Sequence, residues 1–229
     1  VNNAGEAHIG SSGGDAIKFS ALITRPANAT PYAAKDVLAA APLTITHTAA
    51  GTGGVVRVTV AAHTLVTGQA VTVSGANAEA NGNKIVTYVD ATHFELQGTV
   101  WSADPAAGTV QSQVTFLNMG RKVGGSLWID KMRRITTDMN DVVAHRLWFY
   151  ILQPTQLADN AVFTLLDANT AKRAGYLDLP AQTTEGAGSD VTIAQNITDR
   201  MHIICAPADT AIFLVDEVMA AYTPTSGAT

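Results

Sequence analysis

The sequence predicts an all-β protein: a β-sandwich or jelly-roll-like main domain with a small β-barrel-like domain inserted into it. Three observations carry this prediction. No stretch of ten or more residues repeats apolar side chains at the helical spacing i, i+3, i+4, i+7. Short runs rich in β-branched and aromatic residues recur instead, separated by Gly, Pro, Asn and Asp. Composition also shifts near residues 44 and 112, and the segment between them alternates with a regular period of two.

Taken in chain order, residues 1–15 read as a flexible arm because Gly10-Ser-Ser12-Gly-Gly14 has little to hold it. A strand follows over Ile17–Thr24. Ala33–Ala41 reads either as a short helix or as a turn entering a strand. The inserted module, 44–111, has candidate strands Leu43–Thr48, Val55–Ala61, Ala70–Ser74, Lys84–Val89 and His93–Gln97. Val56, Val58 and Val60 fall on one face there, with Arg57 and Thr59 on the other. Asn81-Gly82 and Asp90 are its turn signals. The main domain, 1–43 plus 112–229, adds Gln113–Leu117, Gly125–Thr136, Arg146–Gln153, Ala161–Leu166, Ala174–Leu179, Met201–Cys205 and Thr210–Val215. In Arg146-Leu-Trp-Phe-Tyr-Ile-Leu-Gln153 both faces are apolar, which marks a strand covered on both sides.

Composition narrows the function classes. Charged residues make up 14% of the 229, against about 25% in ordinary domains, so much of the surface is neutral. The net charge of −5 argues against a nucleic-acid partner. In the densest basic stretch, Lys131 and Arg133 share a strand face while Arg134 points to the other. No run approaches the roughly 18 apolar residues of a membrane span, and Val1–His8 lacks the pattern of a signal peptide, so no membrane partner is expected. Cys205, the one cysteine, lies in an apolar run and reads as a buried hydrophobe.

The sequence offers no chemical site: no catalytic, cofactor-binding or metal-ligating residue is expected. Gly10-Ser-Ser12-Gly-Gly14 formally matches G-x-S-x-G but lacks the strand and helix that a nucleophile elbow needs. His8, His47, His63, His93, His145 and His202 form no ligand-spaced pair, although His47, His63 and His93 could meet within the module. Asp216-Glu217 and the pair Asp138 and Asp141 read as turn or strand-end carboxylates rather than an acid–base pair. Gly51-Thr-Gly-Gly54 is too short for a phosphate loop. Asn28-Ala-Thr30 and Asn196-Ile-Thr198 match glycosylation sequons. Trp101 and Tyr88 are the aromatic candidates for glycan contact in the module.

A resemblance enters at Thr24-Arg25-Pro26, followed by Thr30-Pro-Tyr32-Ala-Ala-Lys-Asp36. With Gly5–Gly10, Gly125–Asp130, Arg146–Tyr150, Asp159-Asn-Ala, Arg173–Pro180 and Tyr222-Thr-Pro, it resembles a family of tailed-bacteriophage virion structural proteins, of the head decoration or cement kind. Lys35 departs from that family's turn, which typically carries Gly there. The segments Val55–Val60, Leu65–Gly75, Ala80–Gly82 and Phe94–Leu96 resemble a small β module of phage head and tail proteins. The resemblance implies a non-enzymatic capsid decoration protein on the outer surface of the head, made in the host cytoplasm. Its implied partners are the major capsid protein and further copies of itself, as a homotrimer or other homo-oligomer. The alternatives are a tail, neck or fibre component and, from another class, a carbohydrate-binding β-sandwich or β-sandwich hydrolase.

Overall fold

The structure, a computed structural model, describes residues 6–9, 17–102, 107–184, 192–196 and 200–225. The chain divides into two compact units, Val1–Ala40 with Val114–Thr229, and Ala41–Gln113. In chain order the strands are β1 (Glu6–Ile9), β2 (Ile17–Ser20), β3 (Val37–Leu38), β4 (Leu43–Ala50), β5 (Val56–Val60), β6 (Ala70–Ser74), β7 (Gly82–Tyr88), β8 (His93–Leu96), β9 (Gly108–Ser112) and β10 (Val114–Phe116). They continue as β11 (Ser126–Thr136), β12 (His145–Tyr150), β13 (Arg173–Leu179), β14 (Thr183–Thr184), β15 (Thr192–Asn196), β16 (Met201–Ile204) and β17 (Ile212–Val218). Among the described residues, helix is confined to a 3-10 turn at Thr52–Gly54 and to α1 (Asp167–Thr170), and the all-β class holds.

The larger unit is a sandwich of two antiparallel sheets. One runs β14-β15-β11-β1-β2, with β16 also paired to β11; the other runs β10-β17-β12-β13, with β3 paired to β17. Leu127 and Ile129 of β11 and, beyond a bulge at Asp130, Met132 enter the same core as Leu147 and Phe149 of β12 and Ile212 and Leu214 of β17. β12 lies between β17 and β13, which explains its two apolar faces. Leu147 and Phe149 enter the core, while Trp148 on the opposite face stacks on Phe163 at 5.1 Å.

Two expectations need correction here. Ala161–Leu166 is not a strand: it carries one isolated bridge, Asp36 to Val162, and then leads into α1. Its Phe163 covers Trp148 of the five-stranded sheet while Val162 and Leu166 are exposed, a role that an apolar run does not distinguish from strand pairing. Within the supposed flexible arm, Glu6–Ile9 is β1, paired to both β11 and β2. The Gly10–Gly14 motif lies outside the described residues.

Ala33–Ala41 resolves as a turn entering β3. The Asp36 amide donates to the Ala33 carbonyl at 3.2 Å, and the Ala33 amide donates to Asp36 Oδ2 at 2.6 Å. Lys35 sits in this turn at φ 75°, a left-handed conformation that costs an L-residue roughly 1–2 kcal/mol. Lys35→Gly is therefore expected to stabilise the larger unit by about 1 kcal/mol, read as a raised urea midpoint; an unchanged or lowered midpoint would contradict the strain.

The smaller unit is a closed barrel in the order β4-β5-β8-β7-β6-β9. Its valines alternate as the sequence predicts, with Val56 and Val58 fully buried beside Phe94 and Leu96. Leu43 of β4 pairs with Val110 of β9, so the module begins and ends on neighbouring strands. Closure leaves no room at Gly108, where a Cβ would lie 2.6 Å from the Ser74 carbonyl oxygen and 2.8 Å from the Ala76 nitrogen. Both obstacles are backbone. Gly108→Ala should thus lower the barrel's stability by about 1–3 kcal/mol, measurable as a lower melting temperature.

Candidate functional site

The densest chemistry in the described residues is a buried ionic network in the larger unit. Arg134 stands on the core face of β11, two residues beyond the buried Met132, where an apolar residue would be expected. Across the sandwich, His145 opens β12 and Asp216 lies within β17, both facing inward. Asp141 enters from the loop between β11 and β12. Arg134 Nε donates to Asp216 Oδ2 at 2.8 Å, and Arg134 Nη1 lies 2.6 Å from Asp141 Oδ2. The second contact is off the hydrogen-bond line and acts mainly through charge.

His145 closes the ring of interactions. Its Nδ1 is 2.7 Å from Asp216 Oδ1 and its Nε2 is 2.8 Å from Asp141 Oδ1. An ionised carboxylate only accepts hydrogen bonds, so both ring nitrogens carry protons and the imidazole is cationic. Burial and the neighbouring Arg134 charge both favour losing a proton, but Asp216 and Asp141 outweigh them and hold the His145 pKa above its ordinary value. Burial alone would raise the two aspartates; Arg134 and His145 instead hold both carboxyls low. The result is two cations against two anions, a neutral set sealed at 0–3% side-chain exposure.

A second network adjoins it electrostatically through Tyr222, whose hydroxyl pKa is raised first by burial and then by Asp141. Tyr32 donates its hydroxyl to Asp159 Oδ1 at 2.6 Å and accepts from Arg25 Nε at 2.6 Å. The Ala39 amide donates to the same Asp159 oxygen at 2.9 Å. The Tyr32 and Tyr222 rings stack at 5.1 Å, and their backbones bridge. Asp138 Oδ1 accepts the amides of Asn140 and Thr225, both at 3.1 Å, while its Oδ2 lies 3.7 Å from Arg25 Nη1. Four segments distant in sequence are thereby tied together: the strap before β3, the β11–β12 loop, the Asp159 loop and the chain after β17.

The remaining sequence candidates disperse. Arg134 does face away from Lys131 and Arg133, toward the core. Asp216 and Glu217 lie inside β17 and are buried, contrary to the turn or strand-end placement expected of them. They also part company: Asp216 faces the core cluster, while Glu217 accepts from Trp148 Nε1 at 2.6 Å on the opposite face. Cys205 is buried, and burial pushes its thiol pKa up.

His47 is exposed, His63 packs edge-on to Phe94 at 5.2 Å, and His93 closes a turn with Asp90 at 3.0 Å. Among the described residues no three His, Cys, Asp or Glu side chains gather as a metal site. Gly51–Gly54 forms the 3-10 turn, held by the Thr52 amide donating to Glu95 Oε1 at 2.8 Å. Thr30 closes an Asx turn on Asn28 Oδ1 at 3.1 Å. Trp101 packs on the barrel core, and Tyr88 is about half exposed.

Compared with known proteins, the chain matches no family model, no curated protein and no solved structure.

Sequence reasoning assigned no chemistry to Arg25, Tyr32, Asp36, Asp159 and Tyr222. A usable signal was present: polar residues placed among apolar neighbours in strands or straps. The pairing itself was not in the sequence, since Tyr32 and Asp159 are 127 residues apart.

Proposed function

We propose that the chain is a non-enzymatic structural protein of a tailed-bacteriophage particle, a decoration or cement protein that binds the major capsid shell and stabilises the head. The observation carrying this reading is where the ionic chemistry lies. Arg134, Asp141, His145 and Asp216 are spent on one another in a sealed network that links the two sheets. The low charge content and the phage-like segments support it, as does a self-contained barrel entering and leaving on paired strands. In this role the sandwich anchors the protein and the barrel is an accessory unit.

Electron microscopy of purified particles tests the reading. Many copies distributed over the head are expected. Copies confined to a vertex or the tail would favour the tail, neck or fibre alternative, and absence from particles would overturn the virion role.

A further inference from the structure

Asn81-Gly82, a turn signal in the sequence, is the one Asn-Gly pair in the chain. It ends the barrel loop 75–81 between β6 and β7. This loop is pinned along its length. The Asn77 carbonyl accepts the amides of Ala80 and Asn81 at 3.0 and 3.1 Å, and Ala80 is fully buried in the barrel core. Glu79 Oε1 accepts from Asn77 Nδ2 at 3.1 Å and from Ser102 Oγ at 3.0 Å. Asn81 is the last pin: its Oδ1 accepts the Ala76 amide at 2.9 Å and its Nδ2 donates to the Ala76 carbonyl at 2.8 Å. These two bonds require a carboxamide. Ala76 presents a donor and an acceptor together, and a side-chain amide answers both. A carboxylate only accepts, and at position 81 it would set oxygen against the Ala76 carbonyl oxygen.

The residue that follows makes this carboxamide labile. Gly82 is exposed at φ 92°, and even a Cβ there would meet nothing within 4 Å. With no side chain and open space around it, its backbone nitrogen is an unhindered nucleophile beside a thermolabile asparagine. Base removes the Gly82 amide proton, and the nitrogen bonds to Asn81 Cγ. The Cγ–Nδ2 bond breaks, and Nδ2 leaves as ammonia after taking up a proton from water. Water then opens the resulting cyclic imide at either carbonyl, giving aspartate or, with the main chain rerouted through the side chain, isoaspartate. Ring closure swings Cγ onto the Gly82 nitrogen and expels Nδ2, so both bonds to Ala76 must break first. The reaction therefore runs through molecules whose loop is open. Its products do not close again. Aspartate repels the Ala76 carbonyl, and isoaspartate adds a carbon to the main chain beside the Val73–Gly82 pair that starts the β6–β7 ladder.

We propose that Asn81 is a self-modification site: a latch on the β6–β7 loop that the Gly82 nitrogen converts to aspartate or isoaspartate when the loop opens, leaving that end of the barrel unlatched for good.

The test holds the full chain in warm, mildly alkaline buffer, folded or in concentrated urea, and follows the peptide carrying Asn81 by mapping that separates asparagine, aspartate and isoaspartate. Product should form at Asn81 in both states, at least tenfold more slowly in the folded chain. Glu79→Ala, which releases Asn77 Nδ2 and Ser102 Oγ, should speed the folded reaction at least threefold and leave the rate in urea unchanged. Asn81→Asp should raise amide hydrogen exchange across 74–82 at least fivefold, while exchange across β11 and β12 stays as in the wild type. If that variant does not fold, partly converted wild-type protein supplies the same comparison. Equal rates with and without urea would overturn the gating, as would a folded rate unmoved by Glu79→Ala. Folded protein still unconverted after weeks in which the unfolded chain converts in full would overturn the site. Wild-type exchange across 74–82 in the converted protein or in Asn81→Asp would overturn the latch.

Discussion

Arg134→Met is expected to destabilise the larger unit by about 3–5 kcal/mol. Methionine keeps much of the side chain's length and packing, so the change isolates the charge. What it leaves is unfavourable: Asp141 and Asp216, each 1% exposed at the side chain, would share the single cation of His145. One carboxylate would have to take up a proton or draw in water, and either disturbs the junction between the sheets. Arg134→Lys should recover only part of the loss, because one ammonium cannot reproduce the two-pronged reach of a guanidinium to both aspartates. The control is Arg200→Met, whose partner Asp130 is at 3.0 Å but whose own side chain is 70% exposed; it should change stability by less than about 1 kcal/mol. Urea unfolding followed through Trp128 and Trp148 gives the values. A loss below about 1 kcal/mol for Arg134→Met would mean that the network relaxes without its arginine.

The stability of the same unit should fall as pH rises from about 6.5 to 8, and His145→Gln should abolish that fall, whereas the raised Cys205 thiol adds a separate decline only at higher pH. The His145 pKa is raised on folding, so its contribution is complete below the unfolded value of about 6.5. Above that pH the unfolded chain has released its imidazole proton while the folded chain keeps it. Folding then takes up a proton, and stability declines by up to about 1.4 kcal/mol per pH unit until the folded pKa is passed. The aspartates act on the acid side with the opposite sign. Both carboxyls are held low in the fold, so their contribution is present above about pH 4 and is lost as pH falls through their folded values. Greatest stability is expected between about pH 4 and 6.5. Unfolding midpoints from pH 5 to about 8 test this: the wild type should slope downward above 6.5, and His145→Gln should be less stable at pH 6 but nearly flat up to about 8. Equal slopes would place the alkaline response elsewhere than His145.

Much of the architecture was legible because strands announce themselves by period. Val56, Val58 and Val60 show the barrel's inner face, and Arg146–Tyr150 shows a strand covered on both sides. Ala161–Leu166 misled because an apolar run reads as a strand, yet it forms one isolated bridge and packs through Phe163, and local pattern carries no information about which hydrogen bonds form. β1 escaped for the converse reason: Glu6–Ile9 is short and polar, and its pairing depends on β11, more than a hundred residues away.

Alone, the sequence determined the all-β class and the opposition of Lys131 and Arg133 to Arg134, since each follows from side-chain alternation within one segment; a bulge at Asp130, set by pairing to β1, decided that Arg134 is the inward one. Tertiary structure alone decided that Arg134 would meet Asp141, His145 and Asp216, and that Arg25 and Tyr32 would meet Asp159. The reason is physical. A buried charge is stable only beside its counter-charge, and in a sandwich that partner stands on the opposite sheet, brought there by packing rather than by spacing along the chain.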